Sequence, residues 1–132
     1  MNKRALERFT SEVEEIMAPI DKPTAQAELE KFSNQDVYIH LETTTGAYAS
    51  AFDENVMTIC AFIRNACIRF EQGSIAGDGP YRVGLKMEHG WVYAEGLTDF
   101  EVVPEGSLLF AGHDTQGRLA VSLELGAHPF TL

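Results

Sequence analysis

The sequence is poor in the residues that announce a particular chemistry. It has two cysteines, Cys60 and Cys67, too few for a disulfide framework and without the Cys-x-x-Cys spacing of a zinc site. Lys and Arg number 10 against 20 acidic residues, for a net charge of −10. Nucleic acid and anionic membrane surfaces are held mainly by clustered cations, so neither is an expected partner. The acidic balance reads as solubility. No apolar run approaches the ~18 residues of a membrane-spanning helix. The opening "MNKRALERFTSEVEEIM" lacks the apolar stretch of a signal peptide. The expectation is a cytoplasmic protein with both thiols reduced. There is no Gly-x-Ser-x-Gly nucleophile elbow. The glycine-rich "AGDGPYR" lacks the Gly-Lys-Ser/Thr ending of a phosphate loop and does not lead into a helix, so it reads as a turn.

What is present suits one domain over residues 1–132, with 45% apolar and 23% charged residues. Eleven glycines and five prolines favour many turns over long helices. Residues 1–33 read as a helical segment packed on a β-rich part, 36–132. Leu6, Phe9, Val13, Ile16 and Met17 recur at helical spacing until Pro19. A shorter helix follows "KPT", with Thr24 as N-cap and Leu29 and Phe32 facing inward.

From Val37 the period changes to two. Strands are predicted near 37–43, 48–53, 56–64, 67–76, 81–88, 91–98, 100–103, 107–112 and 118–125. Turn chemistry separates them, including Thr45-Gly46, Asn65-Ala66 and His89-Gly90. About nine short strands predict a mainly β fold, an antiparallel β-barrel or sandwich with one or two N-terminal helices. Strand 56–64 is apolar on both faces and reads as central. With Asn65-Ala66 as a turn, Arg64 pairs with Cys67 and Cys60 lies beyond, so the two thiols form no disulfide and read as packing residues.

Two stretches carry candidate chemistry. In "VYIHLETTTGAYAS", Val37, Ile39 and Leu41 face the core, which puts His40 and Glu42 on the other face. A hairpin turn at Thr45-Gly46 would set Glu42 opposite Ala49 and His40 opposite Ala51, leaving space beside the pair. Imidazole and carboxylate suit Zn or Fe, with His113 as the remote third ligand and Asp114 and Glu95 behind it. A plain polar strand face accounts for the same residues. The sequence specifies no cofactor.

The second stretch is "GPYRVGLKMEHGWVYAEGLTDF". With His89-Gly90 as its turn, Tyr81, Val83, Leu85 and Met87 face the core with Val92, Ala94 and Gly96. Arg82, Gly84 and Lys86 face away with Trp91, Tyr93 and Glu95, Gly84 opposite Glu95 and Lys86 opposite Tyr93. Aromatics beside Arg, Lys and Glu make a face suited to a sugar or another polar small molecule. The same residues would serve as packing or interface anchors.

Several segments in order, "VYIHLETTTGAYA", "IRNACI", "GDGPYRVGLKMEHGWVYAEGLTDFEV", "LLFAGHDTQGRLAVSLEL" and "HPFTL", resemble the YojF-like proteins, small proteins of Gram-positive bacteria. The resemblance covers about residues 32–132. The chain before about Ile20 extends beyond the family pattern. The resemblance implies a bacterial cytoplasmic protein with a compact β-rich fold. It also implies a gene neighbour, a zinc-dependent deacetylase of the type linked to bacillithiol synthesis. It supplies no catalytic residues.

Three readings follow. The leading one is a non-catalytic accessory protein that binds a small molecule such as a thiol-sugar or amino-sugar, or docks on the deacetylase. The second is a metal-dependent enzyme of cupin-like logic using His40, Glu42 and His113, with Glu95 as acid or base. The third is a structural homo-oligomer, most simply a dimer, joined through the exposed aromatics.

Overall fold

A computed structural model describes residues 17–43 and 61–131. The N-terminal helix, the Thr45-Gly46 hairpin and the strand at 48–53 lie outside the described residues, as does most of the strand at 56–64. The described elements are β1 (Ala18–Pro19), α1 (Lys22–Glu30), β2 (Val37–Thr43), β3 (Ala61–Ile68), β4 (Phe70–Ala76), β5 (Tyr81–Met87), β6 (Gly90–Leu97), β7 (Asp99–Val102), β8 (Leu108–His113) and β9 (Leu119–Gly126).

They form two antiparallel sheets. One has six strands in the order β1-β7-β8-β9-β2-β3, the other three in the order β4-β5-β6. The sheets do not close into a barrel. Among the described residues the chain passes between them at Arg69, between β3 and β4, and at Thr98, between β6 and β7. Thr98 holds the second crossing, donating its N–H to Ala111 O and accepting at its carbonyl from Ile20 N. The sheets meet backbone to backbone here. A Cβ on Gly112 would lie 2.1 Å from Gly96 O, a contact that only glycine permits.

The main core lies between the sheets. Val37 and Ile39 of β2, Phe110 of β8 and Leu123 and Leu125 of β9 meet Phe70 of β4, Leu85 of β5 and Leu97 of β6. Each such side chain stabilises the fold by about 1.5–3 kcal/mol. Helix α1 seals the edge at β4, with Leu29 fully buried over Gly73. Gln26 bonds Gly73 O and Ile75 N, satisfying backbone groups of that edge strand.

Four local expectations are corrected. The N-cap of α1 is Asp21, whose carboxylate accepts from Thr24 N at 3.2 Å and from the Thr24 hydroxyl. A carboxylate one turn earlier takes the role expected of Thr24, and Pro23 fits the first turn. Asn65-Ala66 is not a turn. Asn65 has φ +60° and interrupts the pairing of β3 with β2 as a bulge. Asparagine tolerates this conformation in either setting, so its turn chemistry misleads. Strand β3 is not central but ends the six-stranded sheet, with Phe62 and Ile63 exposed. Finally, Glu88 and His89 make the β5–β6 turn, and Gly90 at φ +110° follows, pairing with Met87. The register moves by two residues, Gly84 pairing Tyr93 and Lys86 pairing Trp91. A shift of two preserves every face. A bulge at Glu95 and Gly96 then breaks parity, so Leu97 and not Gly96 points inward.

Candidate functional site

The outer face of the three-stranded sheet presents the aromatic candidates. Trp91 and Tyr93 follow each other on one face of β6 and stack, with centroids 5.2 Å apart and planes 6° from parallel. Both stay half-exposed, at 47% and 48%. The rings lie over Gly84, where a Cβ would come 3.0 Å from Tyr93. Arg82 places its guanidinium 5.2 Å from the Tyr93 centroid and pairs with Glu95. Lys86 sits beside Trp91. The arrangement is a ladder, Trp91–Tyr93–Arg82, closed by Glu95. Trp91 and Arg82 flank Tyr93 from opposite ends of the sheet, so both faces of Tyr93 are covered. What the ladder offers a partner is ring edges, the outer face of Trp91 and two cations.

His40 and Glu42 sit elsewhere, and not beside open space. They lie on the face of the six-stranded sheet opposite the core, as the alternation requires, yet are 3% and 1% exposed. Their described neighbours are not alanines. Strand β9 sets Glu124 opposite His40 and Ser122 opposite Glu42, while β3 sets Arg64 and Phe62 on the other side. Arg64 approaches His40 Nδ1 at 3.2 Å, and Phe62 meets the imidazole edge-on at 5.1 Å. Burial, with the Arg64 charge added, lowers the His40 pKa to about 4, so the ring is neutral at ordinary pH. Burial raises the Glu42 carboxyl. Burial also raises Glu124, although the Ser107 hydroxyl donates to it at 2.9 Å. Both Glu42 oxygens and the Ser122 hydroxyl are buried without a hydrogen-bond partner among the described residues.

His113 belongs to a third place. Its Nδ1 lies 2.9 Å from Asp99 Oδ2, and Thr98 Oγ1 donates to the same oxygen at 2.6 Å while accepting from His113 N at 3.1 Å. His113 and Glu95 line one groove of about 530 Å³ with Thr43 and Asp114. Within that groove Glu95 pairs with Arg82 and His113 with Asp99. The join to His40 and Glu42 does not form. Strand β9 separates β2 from β8, and His113 lies four residues past Leu109, which is level with His40. From strand spacing and rise, the two histidines are roughly 16 Å apart, far beyond a shared metal. Among the described residues, no group of three or more His, Cys, Asp or Glu is placed to hold one.

Sequence reasoning missed Asp99 and Thr98, which orient His113, and Arg64, Ser122 and Glu124, which surround His40 and Glu42. A signal for the last two existed. Ser122 and Glu124 share one face of the otherwise apolar "LAVSLELG".

Fold and sites define the chain as a small, mainly β protein of two antiparallel sheets, with polar clusters on the outer face of each. It belongs to the family described as "Protein of unknown function (DUF1806)", whose profile matches residues 19–130. The chain is similar to the uncharacterized protein YojF of Bacillus subtilis (strain 168), at 53% identity over 116 residues, covering 88% of this chain and 100% of that protein. It is also similar to the crystal structure of Bacillus subtilis YojF, with a TM-score of 0.75 at 49% identity, covering 88% of this chain and 98% of that one. The YojF-like resemblance read from the sequence is thereby borne out. No helix among the described residues is long and apolar enough to cross a membrane.

Proposed function

We propose that the chain is a non-catalytic, cytoplasmic binding protein whose contact surface is the Trp91–Tyr93–Arg82 ladder with Lys86. The observation that carries this reading is the stacked, half-exposed aromatic pair on the solvent face of a small sheet. Tryptophan, tyrosine and arginine are the residues that dominate binding energy at protein interfaces. A sugar stacks on a free ring face, and here only the outer face of Trp91 is open. The geometry therefore favours a partner protein over a sugar. The deacetylase implied by the family resemblance is the first partner to test. The ladder is held by internal stacking, so little order has to be gained on docking.

The experiment is co-purification and calorimetry of the chain with that deacetylase, beside a titration with glucosaminyl-malate. Binding of the deacetylase that Trp91→Ala weakens at least tenfold supports the proposal. Binding of neither, or binding indifferent to Trp91→Ala, removes it.

A further inference from the structure

Among the described residues, strands β1, β3, β4 and β6 end the two sheets, and an edge strand left bare is a template for another chain. Three of the four are managed. Strand β1 is two residues long and ends in Pro19. Strand β3 is bent by the bulge at Asn65, whose side chain bonds Phe130 N and O, while Arg64 bonds the Thr131 carbonyl. Strand β4 lies under α1, and Gln26 bonds its Gly73 O and Ile75 N, each at 2.9 Å. Strand β6 carries no such device from Trp91 to Ala94. That stretch holds no charge, proline or bulge, and its residues favour strands.

The hairpin register shows which backbone groups of β6 lack a neighbour. The two-residue turn is closed by Met87 and Gly90, and a closing pair of this kind exchanges both of its hydrogen bonds. Alternation then assigns Val92 and Ala94 to the β5 ladder. It turns the N–H and C=O of Trp91 and Tyr93 outward. Neither residue makes another backbone hydrogen bond among the described residues. The unpaired groups thus belong to the two residues whose rings are half-exposed.

The side chains point to the occupant. Every second residue along this edge reads His89, Trp91, Tyr93, Glu95. Laid antiparallel on its own copy about a two-fold axis at Val92, the series sets Trp91 against Tyr93 of the second copy. His89 then faces Glu95 of the second copy. Aromatic meets aromatic, imidazole meets carboxylate, and no like charges are opposed. The same register joins the outward backbone groups, each Trp91 exchanging two hydrogen bonds with Tyr93 of the second copy. Moving the axis to Tyr93 would set Trp91 against Glu95 and lose this match. A second copy brings the complement already folded, so little order has to be gained on pairing.

We propose that the chain forms a two-fold dimer by antiparallel pairing of β6 with β6 of a second copy, joining two three-stranded sheets into one of six strands. A two-fold contact of this kind is closed and does not grow into fibres. It uses the edge of the sheet, so the outer face of Trp91 stays open. The dimer does not rest on the ladder being a docking surface for another protein.

Sedimentation equilibrium of the full chain, from micromolar to millimolar concentration, tests this, with circular dichroism to check that each variant folds. The expected result is a monomer–dimer equilibrium. Tyr93→Pro removes an outward N–H from each copy without breaking the β5 ladder. It should weaken dimerisation at least tenfold more than Tyr93→Ala, which keeps the N–H. His89→Glu, in the exposed turn, should weaken it severalfold by opposing two carboxylates, whereas His89→Lys should not. Loss of deacetylase binding bears on the ladder alone and leaves this readout untouched. A monomer at every concentration, equal dimerisation in Tyr93→Pro and Tyr93→Ala, or a dimer indifferent to His89→Glu overturns the proposal.

Discussion

The two sheets carry the same kinds of side chain on their outer faces and use them in opposite ways. On the three-stranded sheet, Arg82 and Glu95 pair in solvent beside the exposed rings of Trp91 and Tyr93. On the six-stranded sheet, Arg64 serves His40, Glu42 and Glu124 together, and burial has moved the pKa of all three. Charge in water is nearly free to come and go, while charge out of water must be neutralised or hydrogen-bonded. The comparison teaches that a polar residue on a strand's outer face has no fixed meaning until its covering is known.

Acid titration breaks the comparison most strongly. His40 titrates near 6.5 when unfolded and about 4 when folded, so the folded state holds the neutral ring. Its contribution is present above pH 6.5 and is lost as pH falls from 6.5 through about 4, roughly 3 kcal/mol in the limit. Glu42 and Glu124 have the opposite sign. Their pKa values are raised, so their contribution is present at low pH and is lost as pH rises through the raised values. Urea denaturation at pH 7, 5.5 and 4.5 should show a net acid loss in the native chain. That loss should flatten in His40→Asn. An equal slope in both proteins would remove His40 as the cause.

Arg64→Ala should cost about 2 kcal/mol, because it strips the cation from a partly buried network and frees the C-terminal segment. Equilibrium unfolding measures this directly, and a loss below 0.5 kcal/mol, the range of plain surface changes, would place the strip's stability elsewhere. Glu42→Met should stabilise by about 1 kcal/mol, since a buried carboxyl without a hydrogen-bond partner among the described residues is exchanged for an apolar side chain of similar length. A fall in melting temperature would show that the carboxyl has a structural partner. The smallest effect belongs to the exposed sheet. A double-mutant cycle on Arg82 and Glu95 should return a coupling under about 1 kcal/mol, and a larger value would erase the contrast between the sheets.

Much of the fold was legible from periodicity. Strand β2 falls at Val37–Thr43 as expected, and the hairpin of β5 and β6 keeps its predicted faces despite a two-residue slip in register. Alternation is a local property of the pleat, so a single sequence carries it. The turn at Asn65 failed because the left-handed conformation favoured by asparagine serves a bulge as well as a turn. The candidate sites were legible as faces only. His40 and Glu42 were placed on the correct side of β2, but their neighbours come from β3 and β9, the latter some 80 residues further along the chain.

By itself the sequence determined the strand periods, the outward aromatic face, the acidic charge and the family. Tertiary structure alone decided that His40 and Glu42 are buried, that His113 joins Asp99 rather than His40, and that Glu124 lines a cavity. The division has a physical cause. Period and composition are set by neighbours along the chain, whereas burial and charge pairing are set by strands that meet only after the sheets assemble.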